Sequence, residues 1–169
     1  MMRGLALIAL ITLPVPALAQ DTAGYDGEIL SACIAQSGNS ATGADSCIGT
    51  ASTACMARPE GQTTVGMVDC LAAEAAQWDQ LLNQAYGKAL KQAEASDAEM
   101  KQLGSAAEPA APELKKAQRD WIGFRDASCR FQALRFQGGT AGGPAAATCL
   151  MQLTAEQALR LRDLLEEGQ

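Results

Sequence analysis

Glu74 and Asp79 stand five residues apart in a stretch of helical periodicity, followed by Asn83 and Tyr86. Arg125 and Asp126 stand beside Trp121 further along. Two neighbouring carboxylates can serve as general acid and base in glycoside chemistry. The same residue types can instead tie helices together. In that reading Arg125 pairs with Glu74 or Asp79, and Asn83 and Gln118 complete the hydrogen bonds. The polar network is the simpler expectation, and no catalytic residue is expected. The chain contains no His. That removes Ser-His-Asp and Cys-His nucleophiles, His metal ligands and c-type haem attachment.

Six cysteines carry the other reactive chemistry: Cys33, Cys47, Cys55, Cys70, Cys129 and Cys149. No Cys-x-x-Cys spacing occurs. Without His, a zinc site would need four thiolates held reduced, so neither a metal nor a redox-active pair is expected. An even number in a chain of this size, given an oxidising compartment, reads as three disulfides. Six cysteines allow 15 pairings. Sequence proximity favours Cys33–Cys47, Cys55–Cys70 and Cys129–Cys149. The last would close a loop of about 20 residues, worth roughly 3 kcal/mol in the chain-entropy description.

Two more features invite a functional reading and have a plainer one. Trp78 and Trp121 fall on apolar seams, where tryptophan is expected as core and not as a ligand platform. The Gly-rich run 137–147 lacks the Gly-Lys-Ser/Thr ending and the preceding strand of a phosphate loop. It is expected as a connector tethered by Cys129–Cys149, with a recognition loop as the sharper alternative.

Composition narrows the setting. The chain has 169 residues, 48% of them apolar, with 13 Lys plus Arg against 19 Asp plus Glu. That suits one core-bearing domain and excludes a disordered chain. A net charge of −6 argues against nucleic acid, which needs a basic footprint. Arg3, the apolar run Leu5–Leu13 and the small-x-small end Ala17-Leu18-Ala19 read as a secretory signal peptide over residues 1–19, too short to span a membrane. Cleavage near Ala19 would release a periplasmic or secreted protein. It removes Arg3 and no acid, which takes the net charge to −7.

The elements that must position these residues are helices. Residues 20–66 form a Cys-rich N-terminal segment, with short helices expected near 25–36 and 45–57 and held by disulfides more than by a core of its own. From Met67 onward, Leu71, Ala75, Trp78, Leu82, Ala85 and Ala89 recur at steps of three and four, with Asp69 as a plausible cap. This helix is expected to end near SDAEM or, more firmly, at Gly104-Ser105. A second helix, 111–136, has the seam Leu114, Ala117, Trp121, Phe124, Ser128 and Phe131. A third starts at Thr148 or Thr154, the latter forming a capping box with Gln157, and carries the stripe Leu150, Leu153, Leu161, Leu164 and Leu165. No segment alternates like a strand. The expectation is an all-α protein: an antiparallel bundle of three main helices over 67–169 behind the disulfide-rich segment.

The strings CLAAEAAQWDQLLNQAY (Cys70–Tyr86) and L-x-x-AQRDWIGFRDASC (Leu114–Cys129), followed by GGT and Cys149, resemble the LprI-type lysozyme-inhibitor N-terminal domain family. The family pattern falls on Cys70, Glu74, Asp79, Leu82, Asn83, Tyr86, Ala117, Gln118, Trp121, Arg125, Asp126 and Cys129. The resemblance covers about residues 67–166 and implies a small exported helical domain. It also implies a non-enzymatic activity: blocking a muramidase by protein–protein contact. Lysozyme is then the implied partner, and an acidic chain would be steered toward a basic enzyme. A generic periplasmic binding or scaffold module without lysozyme affinity is the alternative. The inhibitory residues are not legible in the pattern, whose members read as scaffold alongside Trp78.

Overall fold

The computed structural model describes residues 24–37 and 41–167. The signal-peptide reading, residues 1–19, lies outside the described residues. Among the described residues six helices occur: α1 (Gly27–Gln36), α2 (Ala41–Ala44), α3 (Thr50–Met56), α4 (Thr64–Gln102), α5 (Ala110–Leu134) and α6 (Gly142–Glu167). A single 3-10 turn at Asp45–Cys47 lies between α2 and α3, and another at Pro59–Gln62 lies between α3 and α4. No strand occurs among the described residues, so the all-α expectation holds. No helix among them is long and apolar enough to cross a membrane.

α4 spans 39 residues, about 58 Å at 1.5 Å per residue. It starts earlier than Asp69 would place it. Thr63 is the cap, its Oγ1 accepting from the Gly66 amide at 2.9 Å. A Cβ on Gly66 would overlap the Glu60 carbonyl, so the 3-10 turn and the helix meet without room for any larger side chain. The helix stops at Gly104, whose φ of 68° suits glycine, and not at SDAEM. Asp97, near its end, accepts from the amides of Ala110 at 2.7 Å and Ala111 at 2.9 Å. It thereby caps α5, whose own N-cap is Pro109 and has no side-chain donor or acceptor to offer.

α6 packs along α4, and α5 packs chiefly on α6. Two expectations fail for α6. It begins at Gly142, so residues 142–147 are helix and only a short turn separates α5 from α6. Pro144 sits in its first turn, where a missing N–H costs nothing. Thr154 therefore lies in mid-helix, buried, and forms no capping box. The buried face of α6 also differs from the leucine stripe. It is built largely from Ala147, Met151, Ala155 and Ala158 with Leu159 and Leu161, while Leu164 is exposed. Small residues let α6 approach α4 closely, and Leu71, Trp78 and Leu82 fill the space between them.

The three disulfides are Cys33–Cys47, Cys55–Cys70 and Cys129–Cys149, with no free cysteine. They are the pairs that proximity favoured. The first ties α1 to the turn before α3, the second ties α3 to α4, and the third ties α5 to α6.

Candidate functional site

α3 is a seven-residue helix whose N-cap, Gly49, has no side chain with which to cap it. Its first amides would be orphaned in the core. Glu74 satisfies them from the neighbouring helix. Its Oε1 accepts from the Gly49 amide at 2.6 Å and its Oε2 accepts from the Ser52 amide at 2.6 Å. Oε1 also accepts from Trp78 Nε1 at 3.0 Å. Glu74 is 0% exposed and Trp78 is 1% exposed. A negative group at a helix N-terminus is favoured by the helix dipole as well as by these bonds. One turn earlier on α4, Cys70 holds the other end of α3 through Cys55. The spacing Cys-x3-Glu thus clamps one short helix at both ends from one face of α4.

This arrangement uses up Glu74 chemically. Both carboxylate oxygens are committed to N–H donors, and the group is shut off from solvent. Asp79 does not join it. Its Oδ2 accepts from Asn83 Nδ2 at 2.8 Å in an exposed bond within α4. The predicted pairing of Arg125 with Glu74 or Asp79 does not form. Arg125 lies on α5, which packs chiefly on α6 and not on the motif face of α4. Its Nε donates to Asp126 Oδ1 at 2.9 Å, and its guanidinium carbon stands 5.1 Å from the Trp121 ring centroid. Gln118 is buried but bonds to α6, its Oε1 accepting from Gln157 Nε2 at 3.2 Å. Tyr86 and Trp121 are half-buried against the core. The family-motif residues are therefore split between two places and do not converge on one reactive centre.

A further contact was not legible in the sequence. The Tyr25 hydroxyl donates to Gln77 Oε1 at 2.7 Å, and Gln77 Nε2 donates to the Gly27 carbonyl and to Ser31 Oγ, both at 3.0 Å. This ties the start of α1 to α4. Burial, then the nearby charges of Glu74 and Asp26, push the Tyr25 phenol well above its ordinary value.

The exposed side of α5 is of a different kind. Phe124 and Phe131 were expected in the seam; they are 60% and 63% exposed. The buried positions of α5 are Ala111, Gln118 and Cys129, with Leu114, Trp121 and Ser128 half-buried. The reading went astray by a fraction of a turn. The face holding Leu114, Gln118, Trp121, Arg125 and Cys129 turns inward, and the phenylalanine stripe turns outward. Between α5 and α6 lies an open hollow of about 630 Å³, lined in part by Phe124, Phe131, Gln132, Gln152 and Leu153. A second hollow of about 440 Å³ adjoins it, sharing Phe124, Leu153 and Glu156 and adding Trp121 and Arg160. Among the described residues no group of His, Cys, Asp or Glu is arranged to hold a metal ion.

The comparisons with known proteins agree with the motif geometry. A protein of Rhizobium meliloti (strain 1021), described as uncharacterized, is 33% identical over 91 residues, covering 54% of this chain and 66% of that relative. No solved structure matches. The family described as "Lysozyme inhibitor LprI" matches residues 55–161, which takes in Cys55, the whole of α4 and α5, and most of α6. With the match extending over most of the sequence, the chain belongs to the LprI lysozyme-inhibitor family.

Proposed function

We propose that this protein is an exported, non-enzymatic inhibitor of lysozyme that blocks the muramidase by protein–protein contact and so protects the cell wall. Family membership over residues 55–161 carries the reading. The burial and saturation of Glu74 support the non-enzymatic part, since a general acid must reach substrate. Three disulfides suit an oxidising compartment such as the periplasm. The acidity of the chain favours encounter with a basic enzyme.

The test is a titration of oxidised, mature protein against c-type and g-type lysozymes at low and physiological salt. Stoichiometric inhibition that weakens with salt supports the reading. No inhibition of either enzyme by folded protein would move the function to an envelope binding or scaffold role.

A further inference from the structure

All three phenylalanines of this chain lie on α5 or just past its end and are exposed: Phe124 at 60%, Phe131 at 63% and Phe136 at 44%. Leu134 is 64% exposed beside them. Phenylalanine is ordinarily among the most buried residues, and clustered exposure of this kind marks contact surfaces. Phe124 and Phe131 are seven residues apart, so they share one stripe of α5, with Ala127 between them and Leu134 one step further on. The stripe forms one wall of the two adjoining hollows. The Cys129–Cys149 disulfide staples α5 to α6 at the same level, so this wall is held in place before any partner arrives.

Charge selects the partner. Residues 24–102 carry a clear excess of acid. α5 reverses it: Lys115, Lys116, Arg119, Arg125 and Arg130 stand against Glu113, Asp120 and Asp126, and Arg135 follows. Arg130 and Arg135, next to the aromatic stripe, are exposed. A glycoside hydrolase presents the opposite arrangement, with a pair of carboxylates flanking the bond it cleaves inside its substrate cleft. An aromatic stripe edged by arginines complements such a cleft, while the acidic remainder of the chain complements the basic body of a lysozyme.

From this we infer that the outer face of α5 and the corner after it, from Phe124 to Phe136, is the surface that enters the substrate cleft of the muramidase. The inference rests on the inhibitor reading and specifies its contact surface.

The experiment compares inhibition constants of four mature, oxidised chains against the lysozyme that the unaltered chain inhibits best. The pair F124S/F131S should weaken inhibition by roughly 30-fold or more, because aromatic anchors dominate such contacts. The pair R130A/R135A should weaken it several-fold, on the order of ten. The pair E28Q/D45N, in the acidic N-terminal segment, should change the salt dependence and leave inhibition at high salt unaltered. A chito-oligosaccharide that fills the cleft should compete with the unaltered chain. Circular dichroism confirms that each variant is folded. Inhibition unchanged in F124S/F131S, or indifferent to the oligosaccharide, overturns the surface while leaving the inhibitor reading intact. Loss of a dimer in F124S/F131S by light scattering, with inhibition retained, assigns the stripe to a second copy and also overturns it. Failure of the unaltered chain to inhibit any lysozyme overturns the inhibitor reading itself, and the named occupant with it.

Discussion

The α4 residues that clamp α3 and the outer face of α5 both lie within the residues that match the family, yet they obey opposite rules. In the clamp the side chains are spent on partners within the fold. Glu74 receives three N–H donors, Trp78 is spent on Glu74, and Cys70 is spent on Cys55. On α5, large apolar side chains face outward, and the polar motif residue Arg125 bonds to its own sequence neighbour. The clamp is the sort of arrangement that stabilises one conformation; the α5 face is the sort that leaves free energy to be gained on association. Motif residues of a family need not share a purpose because they share a pattern.

Substitutions can break or sharpen this contrast, starting with the largest effect. Glu74→Ala leaves two buried donors and one half-buried donor without their acceptor and should cost on the order of 4 kcal/mol. A urea midpoint or a thermal melt would show it, the latter as a fall of about 8–16 °C at 2–4 °C per kcal/mol. A loss under about 1 kcal/mol would mean that α3 does not depend on the clamp. The double change C129S/C149S should cost about 3 kcal/mol through the loop that it opens. It should lower inhibition further than stability alone explains, because it frees the wall of the α5–α6 hollow.

The Tyr25 contact predicts a pH dependence. Its phenol titrates above its ordinary value in the fold and near pH 10 when unfolded. Its contribution is therefore fully present below about pH 10 and is lost as pH rises beyond that. Urea midpoints of the unaltered chain should fall above about pH 10, and Tyr25→Phe should flatten that alkaline limb. The smallest effect belongs to the α5 face. F124S/F131S should move stability by less than about 0.5 kcal/mol per site, since neither ring is buried on folding. A large loss would place these rings in the core and erase the contrast.

How much of this was legible follows from the kind of signal each residue carries. Periodicity located α4 and α5, because runs of apolar residues at three- and four-residue steps are local. Proximity found all three disulfides, because each closes a short loop between adjacent elements. The early start of α6 was hidden by its glycines, although Pro144 was a start signal in plain view. The inward face of α5 was misplaced because Phe124 and Phe131 weigh more on any hydrophobic scale than Gln118 or Arg125, which face the other way. Packing on α6, not hydrophobicity, decides that rotation. The role of Glu74 was out of reach for a different reason. A cap supplied across 25 residues of sequence leaves no trace near the helix that it caps.

That distant cap also orders events in time. α3 has seven residues, well short of the roughly 12–15 at which an isolated helix holds together in water. It waits for a carboxylate that lies 22 residues beyond Ser52. At about 5–20 residues per second, synthesis alone keeps it waiting for a second or more. Until Cys70 follows 15 residues later, Cys55 has only Cys33 and Cys47 before it in the chain, and neither is its final partner. The segment made first is thus completed only when α4 has followed it, and its correct cross-linking depends on that helix.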